Sequence, residues 1–376
     1  MAATRPKAGE AGKRTGSRPA SLALFWSDRF ADHQPPHGHP ESAERAAVMR
    51  AVVERWRAAG GTVVAPGPAT REQLLRVHAA GYLDRLEASS GSKAVLDADT
   101  YMSPGSYDAA LLAAGAMVGA VDHVLAARPP GEPRAGGAGV DAALALVRPP
   151  GHHAVRERAM GFCLLNNVAV AACHALAAGI ERVAIVDYDV HHGNGTQWSF
   201  YADPRVLFIS IHQYPHYPGT GAAGECGVGP GEGFTVNIPI AAGATDGDYE
   251  FAFDQVVEPV LDAFAPQLLI ADVGFDAHER DPLANMRVTT AGFSRLASRM
   301  RAAAERCAGG RLIAAVEGGY NLEALDESLG ATVDAFSGTA IRTEPRGERA
   351  SAGPSTAGAA AVAAALAAQR RYWPTL

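Results

Sequence analysis

The sequence DYDVHHGNG at residues 187–195 follows an apolar run, RVAIV at 182–186, that is typical of a buried parallel strand. Because side chains of an extended strand alternate between its two faces, we expect Asp187, Asp189 and His191 to project to one side where the strand ends. Two carboxylates and an imidazole on one face are costly to bury unless a cation neutralises them. The stretch therefore predicts a metal site at the carboxyl edge of a parallel sheet, and with it a metalloenzyme.

Apolar runs alternate with alanine-rich helical stretches along most of the 376-residue chain. This alternation predicts an α/β fold in which right-handed crossovers build a mainly parallel sheet with helices on both faces. The predicted strands are residues 22–26, 142–147, 183–186, 206–211, 268–273 and 312–316. The predicted helices are residues 44–59, 107–127, 167–178, 249–264 and 290–307.

We predict a single domain over residues 21–376, with a C-terminal helix at 359–371 that packs on the rest. Residues 1–20 are rich in basic, Gly, Ala, Ser and Pro residues, which predicts a disordered lead-in. A nucleic-acid-binding arm is the less favoured interpretation of that segment. Residues 128–140 (RPPGEPRAGGAGV) predict a surface loop rather than a linker, since an apolar strand resumes directly afterwards.

Composition excludes several classes of function. A formal net charge of −7 provides no general attraction to nucleic acid or anionic membranes, and no run approaches the ~18 apolar residues of a membrane span. Neither a nucleotide-binding glycine motif nor a GxSxG serine elbow is present. Cys163, Cys173, Cys226 and Cys307 form no CxxC pair, so reduced thiols and a cytoplasmic location are expected.

Three further strand-like runs also end in reactive side chains. Ligands bind outside the carboxyl ends of strands in open parallel sheets, so these residues are predicted to converge on one rim with the 187–195 segment. The runs are ALVRPPGHH, which ends at His153, LLIADVGFDAH, which contains Asp276, and LIAAVEGGY, which ends at Tyr320.

Asp189, His191 and Asp276 form the candidate metal-ligand set. Three mixed carboxylate and imidazole ligands leave room for water and a substrate oxygen, which is the pattern of a catalytic zinc site. Such donors also suit manganese, magnesium or iron(II), so the identity of the metal stays open. Asp276 alone could be a turn or helix-cap aspartate, but its place at the end of an apolar strand favours a ligand.

His152 and His153 follow the sequence PPG, which restricts the loop that carries them. Adjacent histidines on a loop are usually solvated, but beside a metal they become a plausible proton-handling pair. Their far nitrogens need partners, and Asp187 and Asn194 are the candidates. Because one partner is charged and the other neutral, one imidazole should be more basic than the other.

Tyr320 follows two glycines, and its phenol could donate a hydrogen bond to a developing oxyanion. Phe162 and Tyr217 could be the aromatic walls of a narrow apolar channel. For each of these three residues taken singly, ordinary packing is the simpler interpretation.

With these motifs the chain resembles the zinc-dependent histone deacetylase superfamily, and within it the class II-like bacterial histone deacetylase-like amidohydrolases. The similarity runs from about residue 22 to 336 and implies an arginase-like fold with an eight-stranded parallel sheet in a deacetylase-like catalytic domain. The motifs in order are HPESAER (39–45), RPPGHHA (148–154), MGFCLLNN (160–167), VDYDVHHGNGTQ (186–197), SIHQ (210–213), YPGTG (217–221), GFDAHERDPL (274–283) and EGGY (317–320).

The resemblance also implies roles for individual residues. One catalytic Zn²⁺ would bind Asp189, His191 and Asp276, while His152 and His153 serve the attacking water and the leaving amine. Tyr320 would polarise the amide carbonyl. A structural K⁺ would lie at Asp187, Asp189, His191, Ser210 and Ile211, and the substrate channel would comprise Asp99, Gly161, Phe162, Tyr217, Leu283 and Gly318.

The implied activity is hydrolysis of the acetyl or acyl amide of N-ε-acetyl-lysine in proteins or peptides, with release of acetate. The alternative is an acetylpolyamine amidohydrolase: Leu283 stands where one polyamine-specific branch has Glu, but Glu279, Asp97 and Asp99 keep this substrate open. Two other classes are less favoured. An arginase-type ureohydrolase would need further metal-bridging aspartates, which this chain lacks, and a silent acyl-lysine-binding scaffold should have lost a site residue. Acyl-chain preference and oligomeric state stay open.

Overall fold

Eight parallel strands form the central sheet of the computed structural model, which describes residues 21–127, 141–338, 353–374 and 376. The predictions for residues 1–20 and 128–140 lie outside the described residues. The sheet order is β2-β1-β5-β10-β9-β6-β7-β8, and a two-stranded antiparallel pair, β3-β4, stands apart from it. The strands are β1 Ser21–Phe25, β2 Thr62–Val64, β3 Ala94–Val95, β4 Tyr101–Met102, β5 Asp141–Ala145, β6 Val183–Asp187, β7 Val206–Gln213, β8 Thr235–Ile240, β9 Leu268–Val273 and β10 Arg311–Val316.

The central strands are continuous apolar runs because both faces of the sheet are covered. Every residue of β6, β7, β9 and β10 is buried, although successive side chains point to opposite faces. The six predicted strands are confirmed with shifts of one or two residues at their ends. The sequence patterns missed the short pair β3-β4 and two strands of the central sheet, β2 and β8. β2 and β8 lie at the edges of the sheet, where β8 accommodates Pro239.

The predicted helices are confirmed except for residues 249–264, which form two α-helices around a five-residue π-helical segment, Phe253–Val257. Pro259 lies in the first turn of the second helix, and without an N–H it cannot continue the regular ladder of hydrogen bonds. The helices are α1 Glu44–Ala58, α2 Arg71–Leu75, α3 Ala80–Ala88, α4 Ser106–Ala127, α5 Asn167–Ala177, α6 Asn194–Phe200, α7 Asp246–Ala252, α8 Glu258–Phe264, α9 Thr290–Cys307, α10 Leu322–Ser337 and α11 Thr356–Gln369.

Helix α4 contains a stretch, Ser106–Ala126, that is long and apolar enough to cross a membrane. Within the fold 67% of that stretch is buried, and the helix packs on α5 and β5. Its apolar composition is therefore that of a core helix.

The C-terminal helix α11 lies against the edge strand β8. The Gln369 side-chain amide donates a hydrogen bond to the Thr235 carbonyl (2.7 Å), and the Trp373 indole donates one to the Gly233 carbonyl (2.9 Å). The Trp373 ring also meets Phe234 and Phe264 edge to face. These contacts cover an edge that would otherwise present unpaired backbone groups.

We expect Trp373→Ala to lower the free energy of unfolding by about 3 kcal/mol, because it removes a buried aromatic ring and leaves a cavity. Urea denaturation measures the change. Arg370→Ala, at an exposed position one turn earlier, is the matched control and should stay within about 0.5 kcal/mol of the wild type. Equal effects of the two substitutions would contradict docking through Trp373.

Candidate active site

The four strands that end in reactive residues are neighbours in the sheet, in the order β5-β10-β9-β6. They run parallel, so their carboxyl ends lie at one edge. The segments that follow them carry His152 and His153 after β5, Tyr320 after β10, Asp276 after β9, and Asp189 and His191 after β6. The structure thus brings together side chains that are far apart in the chain.

Asp189, His191 and Asp276 form a compact group of potential metal donors. One donor atom from each lies within 4.8 Å of the others. The His191 Nδ1 is 3.0 Å from Asp276 Oδ2 and 3.2 Å from Asp189 Oδ1, and all three residues are buried. Two carboxylates and one imidazole at these distances suit a divalent cation.

The electrostatics of the group fit a cation at its centre. Burial raises the pKa of Asp276 to about 7, and the negative charge of Asp189 adds to this rise. Burial also disfavours the charged form of Asp189, but His152 and His191 outweigh it and lower the pKa of this carboxyl. Hydrogen bonds to both aspartates overcome burial and raise the pKa of His191 to about 10. A bound divalent ion would replace the protons that this arrangement otherwise demands.

Backbone approaches the group closely at Gly318. Its N–H donates to Asp189 Oδ2 (2.8 Å), and a Cβ on this residue would lie 2.1 Å from Asp276 Oδ2. Any side chain at position 318 would therefore push the two carboxylates apart. The first glycine of the EGGY motif is therefore required, because no side chain fits between it and the carboxylates.

His152 and His153 contact each other and point to different partners. Their ring centroids are 4.0 Å apart. The Nδ1 of His152 lies 3.1 Å from Asp187 Oδ2, whereas the Nδ1 of His153 lies 2.7 Å from Asn194 Oδ1. These are the two partners that the sequence predicted for the imidazoles.

The two imidazoles have opposite shifts in pKa. Burial disfavours the charged form of His152, but the charges of Asp187 and Asp189 outweigh it and raise its pKa to about 10. Burial and the neighbouring positive charges of His152 and His191 lower the pKa of His153 well below its usual value. At neutral pH one imidazole is therefore charged and the other neutral.

Tyr320 lies half-buried beside this group, on the segment between β10 and α10. Burial and the charge of Asp276 raise the pKa of its phenol well above the usual value, so the hydroxyl keeps its proton. The guanidinium of Arg45 sits over the ring, 5.1 Å from its centroid. A neutral phenol can donate a hydrogen bond to a substrate oxygen.

Aromatic side chains surround the approach to the group. Phe162 lies 5.8 Å from the Tyr320 ring, and Tyr217 lies 5.1 Å from the His153 ring, both edge to face. The other predicted channel residues are nearby: a Cβ on Gly161 would lie 2.3 Å from the His153 ring, and the Asp99 carbonyl accepts a hydrogen bond from His39, which packs on Phe162. Leu283 is half-buried next to Asp281, whose carboxylate accepts its N–H.

The residues predicted to bind K⁺ lie on adjacent segments. Ser210 on β7 pairs in register with Asp187 on β6, and both are buried. The Asp187 Oδ1 accepts the N–H of Asp189 (3.1 Å), while Ser210 Oγ bonds the His212 ring. A K⁺ ion there stays a prediction.

A second group of potential metal donors comprises His152, Asp187 and Asp272. Asp272 is fully buried, and neither of its carboxyl oxygens has a hydrogen-bond partner among the described residues. Burial and the nearby Glu317 raise its pKa well above the usual value. Both effects oppose ionisation of Asp272.

Sequence reasoning missed a fully buried ionic network that supports the site. Glu41 accepts hydrogen bonds from Arg148 through both oxygens (2.6 and 2.7 Å) and from Arg45 (2.9 Å). Arg45 also donates to the Gly319 carbonyl (2.8 Å), next to Tyr320. The i, i+4 spacing of Glu41 and Arg45 was a visible signal, but no local pattern links either residue to Arg148.

Comparisons with known proteins identify the family of this chain. The family described as "Histone deacetylase domain" matches residues 39–336. A probable deacetylase of Archaeoglobus fulgidus is 40% identical over 306 residues, which cover 80% of this chain and 81% of that protein. A histone deacetylase-like amidohydrolase of Pseudomonas aeruginosa is 42% identical over 294 residues, or 77% of this chain and 74% of that protein.

Among solved structures, the HDA15 HD domain superposes with a TM-score of 0.83 at 38% identity, covering 95% of this chain and 96% of that one. The fold and the edge of reactive residues define a hydrolase of the deacetylase class. The chain belongs to the histone deacetylase family, and the resemblance found in its motifs is confirmed. The arginase/deacetylase-like fold with eight parallel strands is confirmed as well.

We expect Gly318→Ala to weaken binding of a divalent metal at least tenfold, because the new methyl group would displace Asp276 and Asp189. Competition with a chelator, followed by metal analysis, measures the affinity for Zn²⁺. Gly224→Ala is the matched control, since a Cβ at that position meets nothing within 4 Å. Unchanged Zn²⁺ affinity in the Gly318 variant would contradict this location of the metal.

Proposed function

We propose that this protein is a zinc-dependent amidohydrolase that removes acetyl or acyl groups from N-ε-acetyl-lysine in proteins or peptides and releases acetate. The observation that carries the proposal is the meeting of three features at one edge of the sheet. These are the Asp189–His191–Asp276 group, a pair of imidazoles with opposite charge states, and a neutral tyrosine hydroxyl. Together they provide each chemical function that amide hydrolysis requires.

Zn²⁺ held by Asp189, His191 and Asp276 would supply Lewis acidity for the amide carbonyl and for a water molecule. The resemblance implied that His152 serves the attacking water, but His153, neutral at neutral pH, is the imidazole that can accept the proton of that water. His152, kept protonated by Asp187, provides positive charge beside the reacting amide and can supply a proton to the departing amine. Tyr320 donates a hydrogen bond to the carbonyl oxygen as negative charge develops there.

The residues at the rim of the site, Leu283, Asp97 and Asp99, affect which substrate is preferred. Leu283 places an apolar side chain where a polyamine-specific enzyme of this superfamily can carry Glu, which favours an acyl-lysine chain in a peptide. The names of the relatives, among them histone deacetylases 14 and 15 of Arabidopsis thaliana, agree with that substrate class. Burial raises the pKa of the Tyr217 phenol, and the nearby charges of Asp99 and Asp97 add to the rise. This negative charge keeps acetylpolyamines as the alternative substrate.

Other properties are part of the same proposal. We propose a structural K⁺ at Asp187, Asp189, His191, Ser210 and Ile211. A cytoplasmic location is supported by four cysteines, all of them free thiols in the structure. The net charge of −7 favours an acetylated protein, peptide or small amine, rather than nucleic acid or a membrane, as the binding partner.

The first test compares turnover of a fluorogenic N-acetyl-lysine peptide and N-acetylputrescine by zinc-loaded protein. We expect higher kcat/KM for the peptide, and losses on the order of 100-fold or more in His153→Ala and Tyr320→Phe. His123→Ala and Tyr201→Phe, which remove the same groups away from the site, should retain activity. Preference for acetylputrescine would identify an acetylpolyamine amidohydrolase, whereas no turnover of either amide would favour a silent acyl-lysine binder.

The pH profile tests the roles of the imidazoles. In Asn194→Asp a carboxylate faces His153, stabilises its charged form and should raise its pKa by about 1–3 units. A base must be neutral to work, so the acidic limb of kcat/KM should move to higher pH by the same amount. Asn285→Asp adds the same charge at an exposed position and should leave the profile in place. An unshifted acidic limb in Asn194→Asp would argue against His153 as the base.

A further inference from the structure

Asp281 has a carboxylate that joins two segments of the site. One oxygen, Oδ2, accepts the backbone N–H groups of Tyr320 (2.6 Å) and Asn321 (3.2 Å). The other, Oδ1, accepts the N–H of Leu283 (3.0 Å). Asp281 is buried, with 8% of its surface exposed, so water cannot easily replace these bonds.

The bond to Tyr320 has a counterpart on the same peptide group. The N–H of Tyr320 and the carbonyl of Gly319 belong to one peptide unit, and the carbonyl accepts the Nε–H of Arg45 (2.8 Å). A buried cation and a buried anion thus hold this unit from its two ends. The orientation of a peptide plane constrains the direction in which the next side chain leaves the backbone.

Tyr320 lies between β10, which ends at Val316, and α10, which begins at Leu322. Before it, Gly318 is held on both sides, since its N–H donates to Asp189 (2.8 Å) and its carbonyl accepts the Phe275 N–H (3.0 Å). The Tyr320 ring is half-buried, and its contacts with Phe162 and Arg45 are weak in comparison with three charge-assisted hydrogen bonds. The bonds to Asp281 and Arg45 therefore extend this fixed segment to the peptide unit from which the phenol leaves the backbone.

We propose that Asp281 is a positioning residue that fixes the Tyr320 hydroxyl for catalysis and ties it to the Leu283 segment at the mouth of the site. The inference rests on the proposed function, in which Tyr320 binds the substrate carbonyl. Its geometric part, the anchoring of the Tyr320 backbone, does not depend on that function.

The chemistry of the position requires a carboxylate. Three N–H groups converge on Asp281, and only a side chain that accepts on both oxygens can satisfy all of them. In Asp281→Ala all three N–H groups lose their acceptor, whereas the amide of Asp281→Asn can turn so that its oxygen still accepts from Tyr320 and Asn321. Asp281→Ala removes the anchor in full, and this makes it the appropriate test.

The experiment is a double-mutant cycle on kcat and KM with Asp281→Ala and Tyr320→Phe. Asp281→Ala should lower kcat on the order of 10- to 100-fold, the effect of a misplaced group, with KM within about threefold of the wild type. In the Tyr320→Phe background the same substitution should lower kcat less than twofold, since the hydroxyl that it positions is already absent. A full 10- to 100-fold loss in both backgrounds would overturn the proposal.

Hydrogen exchange of the Tyr320 and Asn321 amides gives a readout independent of activity. Exchange should accelerate at least tenfold in Asp281→Ala, and unchanged exchange would overturn the anchoring even if the protein turned over no amide. Asp248→Ala is the matched control. Asp248 is a buried carboxylate on α7 that likewise joins two segments, through the N–H groups of Thr245 before α7 (2.7 Å) and Ser355 before α11 (2.6 Å).

Asp248→Ala should lower stability without changing kcat or the exchange of Tyr320. If Asp281→Ala does not fold, Asp281→Ser, whose shorter side chain cannot join both segments, takes its place in both measurements. A fall in kcat of equal size in the Asp248 and Asp281 variants would reduce Asp281 to a general structural role and overturn the inference.

Discussion

Buried negative charge at one edge of the sheet is the constraint on which the rest of this structure depends. Five carboxyl groups that have no exposed surface end or follow three adjacent strands: Asp187, Asp189, Asp272, Asp276 and Glu317. Full ionisation of such a cluster without compensation would cost far more than the stability of a typical domain. Four kinds of group can compensate this negative charge: protonated histidines, backbone N–H groups, shared protons and a divalent cation. The structure provides a place for each.

The same constraint divides the roles of the two adjacent histidines. His152 reaches the charged Asp187 and becomes part of the compensation, so its positive charge is structural as well as chemical. His153 bonds only the neutral Asn194, and the positive charge of His152 helps to keep His153 neutral. A single fold element, the loop after β5, thus supplies a fixed positive charge and a proton acceptor side by side.

The sequence predicts what local chemistry determines and misses what tertiary contacts determine. Uninterrupted apolar runs are enough to find six strands, and the position of Asp189 and His191 directly after one of them is enough to put both at the carboxyl edge of the sheet. The period of two predicted for 187–191 does not apply there, because β6 ends at Asp187. The edge strand β8 and the short β2 lack that signal. The partnership of Arg148 with Glu41, 107 residues away, and of Asp281 with Tyr320 depends on which loops the strand order brings together. No local pattern encodes that order.

The residues that would select the substrate differ from the residues that would carry out the chemistry. The metal group, the imidazoles and the Tyr320 hydroxyl would contact only the amide that is cleaved, and that amide is common to acetyl-lysine and acetylpolyamines. Under the proposed function, discrimination would come from the rim, where the apolar Leu283 and the acidic Asp97 and Asp99 would oppose each other in their preference for a second positive charge. Because Asp281 holds Leu283 and Tyr320 through one carboxylate, a change at the rim can also move the hydroxyl that acts on the amide. Specificity and catalytic rate should be coupled in this protein for that physical reason.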